Sequence, residues 1–287
     1  MENYLEKFLN KLSEIQNRYE EIRSKDRLNI FYALHKEHDE VNLHSRFITY
    51  LLDRNAGHEK EDFFAKKFFQ IVLDFDVNDS FFQNYNVFPN ELDKREFKNI
   101  DILLVNKYLD QAIIIENKIF ADDSNYNDKI EGYNGQLERY YNTITKGEPN
   151  DYYENAADEK YIHHELICKN VSVFYLCLKK PERNSFKKSK GNIPDEKDVT
   201  TILYNDKIIS WLNSCIDSPE IKNDSFLHKI VNQYKILVEN MVNQNVERIE
   251  LKNLIGKNEN WESTKYLIEN FNHIKWHTVY DFWDKLK

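Results

Sequence analysis

The sequence predicts an α/β (α+β) protein, a central sheet flanked by helices with further helical additions at both ends, and three observations carry that expectation. Apolar, β-branched runs of strand length recur at residues 100–105, 112–118 and 172–178. Apolar residues spaced three and four apart mark helices ahead of the first of these runs. Only six glycines and five prolines stand among 287 residues, of which 31% are charged, as suits helices joined by few long flexible linkers. The 41% hydrophobic content supports a substantial core, in one large domain or a domain with appendages.

Taken in order, Leu5, Phe8, Leu12, Ile15, Tyr19 and Ile22 form one helical stripe, suited to packing on the domain or, alternatively, to a dimer seam. Residues 39–53 read as a helix, with Asp39 as N-cap and Phe47, Ile48, Leu51 and Leu52 facing inward. Gly57 and its polar neighbours end it, and a phenylalanine-rich helix follows over residues 62–73. Strands are expected over residues 85–88, 100–105 and 112–118. The polar stretch 107–111 is too short for a crossover helix, so the last two strands form an antiparallel hairpin. A helix over 134–145, a polar, tyrosine-containing loop over 150–158 and a buried strand over 172–178 come next. A basic loop follows over 179–190, then an edge strand over 200–204, and helices from residue 206 onward. The division is thus an N-terminal helical segment (1–36), a core (37–217) and a C-terminal helical cap (218–287). The cap carries Tyr234, Leu237, Val238, Trp261, Trp276 and Trp283, and no recognisable chemistry.

The chemistry-bearing residues sit on the hairpin. Asp101 opens one apolar run, and Glu116 and Lys118 close the next. Side chains two apart on a strand share a face, so Glu116 and Lys118 project together, and in the hairpin both lie far from the turn, as Asp101 does. Two carboxylates at close quarters repel unless a cation stands between them, and hard oxygen donors suit Mg²⁺ or Mn²⁺. The lysine beside them can orient or help deprotonate a water and stabilise a developing anion. The competing reading is a pair of strand-end acids bonded to backbone or to Lys118.

Asp101 followed by Glu116-Asn117-Lys118 resembles the D…(D/E)xK signature of the PD-(D/E)XK nuclease superfamily. Gln136-Leu137-Glu138-Arg139-Tyr140 is similar to the QxxxY helix of its RecB-like branch. Glu40-Val41-Asn42-Leu43-His44-Ser45-Arg46-Phe47 resembles the helix that opens the domain, with an acid and a His-Ser pair, in a large group of uncharacterised prokaryotic members. The likeness runs over roughly residues 37–240. Ile100 stands where the superfamily name has its variable proline. The resemblance implies a restriction-endonuclease-like core with a mixed sheet and a Mg²⁺-dependent nuclease, with Mn²⁺ as a substitute. It further implies that Asp101, Glu116, the Asn117 carbonyl and Glu40 hold the ion, with Glu37 competing with Glu40. Lys118, Gln136 and Tyr140 would complete the catalytic set, DNA would be favoured over RNA, and phage defence or restriction would be the setting.

On their own helices, Glu40 lies in line with His44, Phe47 and Leu51, so it is an acid aimed at the core side that needs a partner. His44 suits a hydrogen-bonded structural role better than proton transfer, and Ser45 suits a bond to backbone. Gln136 and Tyr140, four apart, share a face. Glu91 and Glu96 are possible further acids, and the adjacent His163-His164 with Glu165 point apart, so no metal site is expected there.

A net charge of −9 argues against a nucleic-acid coat protein, but residues 179–190 hold six cations against one acid. That segment can reach over a phosphate backbone or serve as a solvated surface. Cys168, Cys177 and Cys215 are odd in number and lack metal-ligand spacing, so buried thiols are expected. Without an apolar run of about 20 residues or a signal-like leader, the expectation is a cytoplasmic protein with no membrane partner. A second reading keeps the fold for binding alone, as a regulatory subunit working with a protein partner; homo-oligomerisation is also open.

Overall fold

The structure, a computed structural model, describes residues 2–24, 28–75, 79–90, 96–119, 135–147, 166–181, 183–194 and 199–285. Expectations for residues 91, 150–158 and 163–165 lie outside these. The chain forms two compact units, residues 28–242 and residues 1–27 with 243–287.

The larger unit opens with α2 (Ile30–Leu34), capped by the Asn29 side chain accepting from the Phe31 N–H. A π-helical turn, Glu40–Ser45, leads directly into α3 (Arg46–Leu52), and Asp39 caps it through a bond from the Asn42 N–H. The phenylalanine-rich stretch is α4 (Phe63–Phe68), continued by a second π-helical turn (Phe69–Leu73), and α5 (Asp79–Gln83) follows. Then come β1 (Asn86–Phe88), β2 (Ile102–Asn106), β3 (Gln111–Lys118), α6 (Gln136–Lys146), β4 (Asn170–Cys177), α7 (Arg183–Lys190) and β5 (Thr200–Leu203). A further π-helical turn (Tyr204–Ile208) runs into α8 (Ile209–Ile216), and α9 (Pro219–Lys222) precedes α10 (Ser225–Ile255). The basic segment after β4, expected as a loop, contains α7. Phe186 anchors that helix, packing edge-on against Tyr175 of β4 with ring centroids 5.3 Å apart.

The sheet is mixed, in the order β1-β2-β3-β4-β5. β1, β2 and β3 pair antiparallel, with the expected hairpin turning at residues 107–110, while β3, β4 and β5 pair parallel. β5 is the expected edge strand. Helices cover both faces, which explains why β2 and β3 read as continuous apolar runs rather than alternating ones. On one side Ile102, Leu104, Ile113, Ile115, Phe174 and Leu176 pack with α3, α4, α8 and the first part of α10. Trp211 is fully buried there, its indole N–H donating to the Phe64 carbonyl at 3.1 Å. On the other side Leu103, Val105, Ala112, Ile114, Val173 and Tyr175 pack with Leu137, Tyr140 and Ile144 of α6. Tyr234, Leu237 and Val238, read from sequence as part of a cap, belong to the first of these two cores. The three cysteines are free and buried.

The smaller unit contains α1 (Glu2–Ser24), the end of α10, and α11 (Asn258–Lys285). The stripe on α1 buries Phe8, Ile15 and Tyr19 against Leu254, with Leu12, Ile22, Leu251 and Leu267 partly covered. Arg18 pairs with Glu250, and Arg23 with Glu247. Among the described residues no helix is long and apolar enough to cross a membrane.

Candidate active site

Strand periodicity and register together assemble the site. Glu116 and Lys118 share the face of Ala112 and Ile114, so both point toward α6. β2 pairs with β3 only up to Ile102 opposite Ile115. Asp101, one residue before that pair, has the parity of Leu103 and Val105 and so faces the same side. There its Oδ2 accepts the Asn117 N–H at 2.7 Å. Lys118 O bonds to β4 through Leu178, so alternation turns both the N–H and the carbonyl of Asn117 to the opposite edge, where β2 has ended. A backbone carbonyl thus lies beside two carboxylates.

Burial sets the electrostatics. Glu116 is wholly buried, and the Lys118 ammonium stands 2.7 Å from its Oε1. Burial alone would lower the Lys118 pKa, but the Glu116 and Asp101 carboxylates outweigh it and hold the amine above its ordinary range. The two carboxylates thus favour the charged form of Lys118. Burial, reinforced by the charge of Glu96, pushes the Asp101 carboxyl up to about 7. Glu96 is raised as well, by burial and then by Glu116.

α6 closes this side. Gln136 donates to the Tyr140 hydroxyl at 2.8 Å, and both side chains are buried. Burial, then the fields of Glu116 and Asp101, raises the Tyr140 pKa well above normal, so it remains a neutral phenol facing the acids.

The other face of β3 fixes the strand to the opening π-helical turn. Asn117 points there, donating to Ser45 Oγ at 3.1 Å and accepting from the Tyr204 hydroxyl at 2.8 Å. Ser45 in turn donates to the Glu40 carbonyl, the backbone bond expected of it. Glu40 Oε1 accepts from the Ile119 N–H at 2.6 Å, directly beyond Lys118. The partner that sequence demanded for Glu40 is thus a backbone amide, at least on that oxygen. Glu37 meets the site differently, through its carbonyl on His44 Nε2 at 2.7 Å. His44 Nδ1 accepts from Tyr234 at 3.0 Å, and burial lowers the ring pKa to about 4, so His44 is a neutral latch between elements.

Asp101, Glu116, Asn117, Lys118, Glu40, Gln136 and Tyr140 therefore gather around the end of β3, while Glu91 and residues 163–165 lie outside the described residues. Sequence reasoning undervalued Glu96 and missed Arg46, whose charge acts on Glu96, and Tyr204. No local pattern marks them, because each meets the site through tertiary contact. Asn117, expected to contribute through its backbone carbonyl, also uses its side chain as an anchor. Among the described residues, no three His, Cys, Asp or Glu side chains stand at metal-ligand spacing. The donor chemistry nevertheless fits a hard divalent cation. Glu96 Oε1 is buried without a hydrogen-bond partner among the described residues, and the carboxyls beside it are strained toward protonation, as a cation would relieve.

A model of the PD-(D/E)XK nuclease superfamily matches residues 28–236. No curated protein and no solved structure matches the chain. With nearly all of the larger unit inside the matched span, and a mixed five-stranded sheet bringing Asp101, Glu116 and Lys118 to one strand end, the chain belongs to the PD-(D/E)XK nuclease superfamily.

Proposed function

We propose that this chain is a metal-dependent nuclease that hydrolyses phosphodiester bonds, in DNA rather than RNA, with Mg²⁺ as its ion and Mn²⁺ as a substitute. The observation that carries this reading is the trio itself: two buried carboxyls, Asp101 raised to about 7, beside a part-buried ammonium held above its ordinary pKa. Asp101, Glu116 and the Asn117 carbonyl would hold the ion, with Glu40 or Glu96 completing its surroundings. When bound, the ion supplies Lewis acidity at the phosphate and lowers the pKa of water beside it.

The chain's own residues do the rest. Lys118, fixed and protonated, donates to the attacking water or to a phosphate oxygen, and it offsets the negative charge that grows as the phosphorus is attacked. Gln136 and Tyr140, bonded to each other, present a neutral polar wall that orients the acids and touches the substrate backbone. That bond supports assignment to the RecB-like branch with its QxxxY helix. A role in prokaryotic phage defence or restriction rests on the resemblance of the opening Glu40 to Phe47 helix alone.

Cleavage of linear, circular and single-stranded DNA and of RNA, with Mg²⁺, Mn²⁺ or EDTA, tests the reading. Asp101→Asn, Glu116→Gln and Lys118→Met are each expected to lose about 100-fold or more in rate, the scale of removing one transition-state interaction. Equal inactivity of wild type and variants, with calorimetry showing no metal binding that depends on Asp101, would defeat it. A binding subunit that works with a protein partner would then be the better reading.

A further inference from the structure

The acid cluster by itself has no means of holding a long polyanion. Carboxylates repel phosphate, and the chain as a whole carries −9. The strongest local exception is the segment 179–190, with Lys179, Lys180, Arg183, Lys187, Lys188 and Lys190 against Glu182.

Two features of the fold bring that segment to the site. β4 runs parallel to β3 with Cys177 opposite Lys118, and the Leu178 N–H donates to the Lys118 carbonyl at 3.2 Å. Exposed Lys179 and Lys180 therefore leave the sheet at the strand end where Lys118 stands. The chain then forms α7, whose last turn lies against the start of α6. A Cβ on Gly135 would fall 2.0 Å from the Lys188 carbonyl oxygen, and one on Gly191 would fall 2.0 Å from Glu138 Oε2. Gly135 immediately precedes Gln136, so α7 is backed directly onto the end of α6 that faces the acids.

The side chains of α7 divide cleanly. Phe186 packs on Tyr175, and Ser189 is fully buried. Arg183 and Lys187, one turn apart, are exposed, as is Lys188 beside them. Among the described residues none of these three, nor Lys179 or Lys180, forms an ion pair, whereas Lys60, Lys66, Lys207 and Lys222 elsewhere in the unit do. Among the described residues the outward face of α7 offers charge and no aromatic ring. Single-strand binders depend on such rings to stack bases, while a duplex backbone of high charge density is held by cations alone.

We infer that α7 and the Lys179-Lys180 link form a docking surface for the phosphate backbone of duplex DNA, positioning it across the Asp101, Glu116 and Lys118 site. The inference rests on the nuclease reading for the purpose of docking, and its test separates the two. Binding of the full chain to a short DNA duplex is followed by fluorescence anisotropy in EDTA over a salt series. The variant is Arg183→Gln/Lys187→Gln/Lys188→Gln; Lys107→Gln/Lys169→Gln, at the opposite end of the strands, is the control. The triple variant is expected to show a Kd weaker by roughly tenfold or more, with the slope of log K against log salt shallower by about 0.9 for each phosphate no longer neutralised. The control should bind as wild type does, and Lys187→Arg/Lys188→Arg should retain binding.

Equal affinity of the triple variant and wild type would overturn the inference, as would equal weakening in the control. Weakening confined to single-stranded DNA or to duplex RNA would overturn it too. Circular dichroism and the unfolding midpoint confirm that the triple variant is folded. Cleavage with Mg²⁺, measured separately, distinguishes the failures. A wild type that cuts through Asp101 while the triple variant binds normally sinks α7 docking alone; binding through α7 without any cutting sinks the nuclease reading alone.

Discussion

At the scale of single residues, the site is governed by the cost of placing acids where water cannot reach them. Asp101 has a folded pKa of about 7 against an ordinary value near 3.8, so the folded protein holds a proton there that the unfolded chain releases. Its stabilising contribution is complete in acid, below the ordinary carboxyl range, and is lost as pH rises through about 7. A divalent cation reverses that trend, because it binds the ionised carboxylate. The melting temperature of metal-free protein is therefore expected to fall as pH rises from 5 to 8, and Mg²⁺ should raise it more at pH 8 than at pH 5. Differential scanning calorimetry checks both slopes, and Asp101→Asn should flatten them. Lys118 has the complementary part. Lys118→Met leaves Glu116 buried without its cation, so a loss of stability of about 3–5 kcal/mol is expected in denaturant melts, much reduced in Glu116→Gln/Lys118→Met. A metal ion added to the single variant should recover part of that loss.

At the scale of elements, the positions of β3 and α6 decide whether these residues meet. β3 is held on its far face by Asn117, which bridges Ser45 and Tyr204, and at its end by Glu40 on the Ile119 amide. The face of the strand that carries Glu116 and Lys118 is thus registered by bonds made on the opposite one. α6 is registered by the close approach of α7, which only glycine allows at residue 135. Gly135→Ala places a methyl group 2.0 Å from a backbone oxygen that cannot turn aside, and a cost of about 1–3 kcal/mol is expected. Equilibrium unfolding measures it, and rates should fall further than for a mutation of equal cost remote from α6, because Gln136 and Tyr140 move with the helix. A variant at Gly191 should also suffer, since its φ of +53° is strained for any side chain.

At the scale of the molecule, the two units differ in how much they bury. The larger unit encloses both faces of its sheet, with Trp211, Tyr204, Tyr234, Phe64 and Phe68 fully covered. Among its described residues the smaller one buries a cluster of four apolar side chains, while Trp261, Phe271 and Trp276 on α11 remain more than half exposed. Opening free energy follows apolar burial, so amide exchange should be fast in α1 and α11 and slowest in β2, β3 and β4. Mass-spectrometric hydrogen exchange reads this directly, and equal protection of α1 and β3 would contradict it. Phe8→Ala should speed exchange in α1 and leave β3 unchanged.

The sequence by itself determined what depends on neighbours along the chain. Period two puts Glu116 and Lys118 on one face, a short polar turn makes β2 and β3 antiparallel and brings Asp101 to their end, and a four-residue step pairs Gln136 with Tyr140. The family signature was legible for the same reason, being written in spacings. Tertiary structure decided what depends on neighbours across space. The residues of 179–190 were polar enough to suggest a loop, yet Phe186 gains a partner in Tyr175 that fastens them as a helix. Glu96, Arg46 and Tyr204 carry no local pattern, and they reach the site through packing of separate elements. The charge states of Asp101 and Lys118 belong to this second class, because burial and the convergence of several ionised groups, not residue type, set the free energy of each proton.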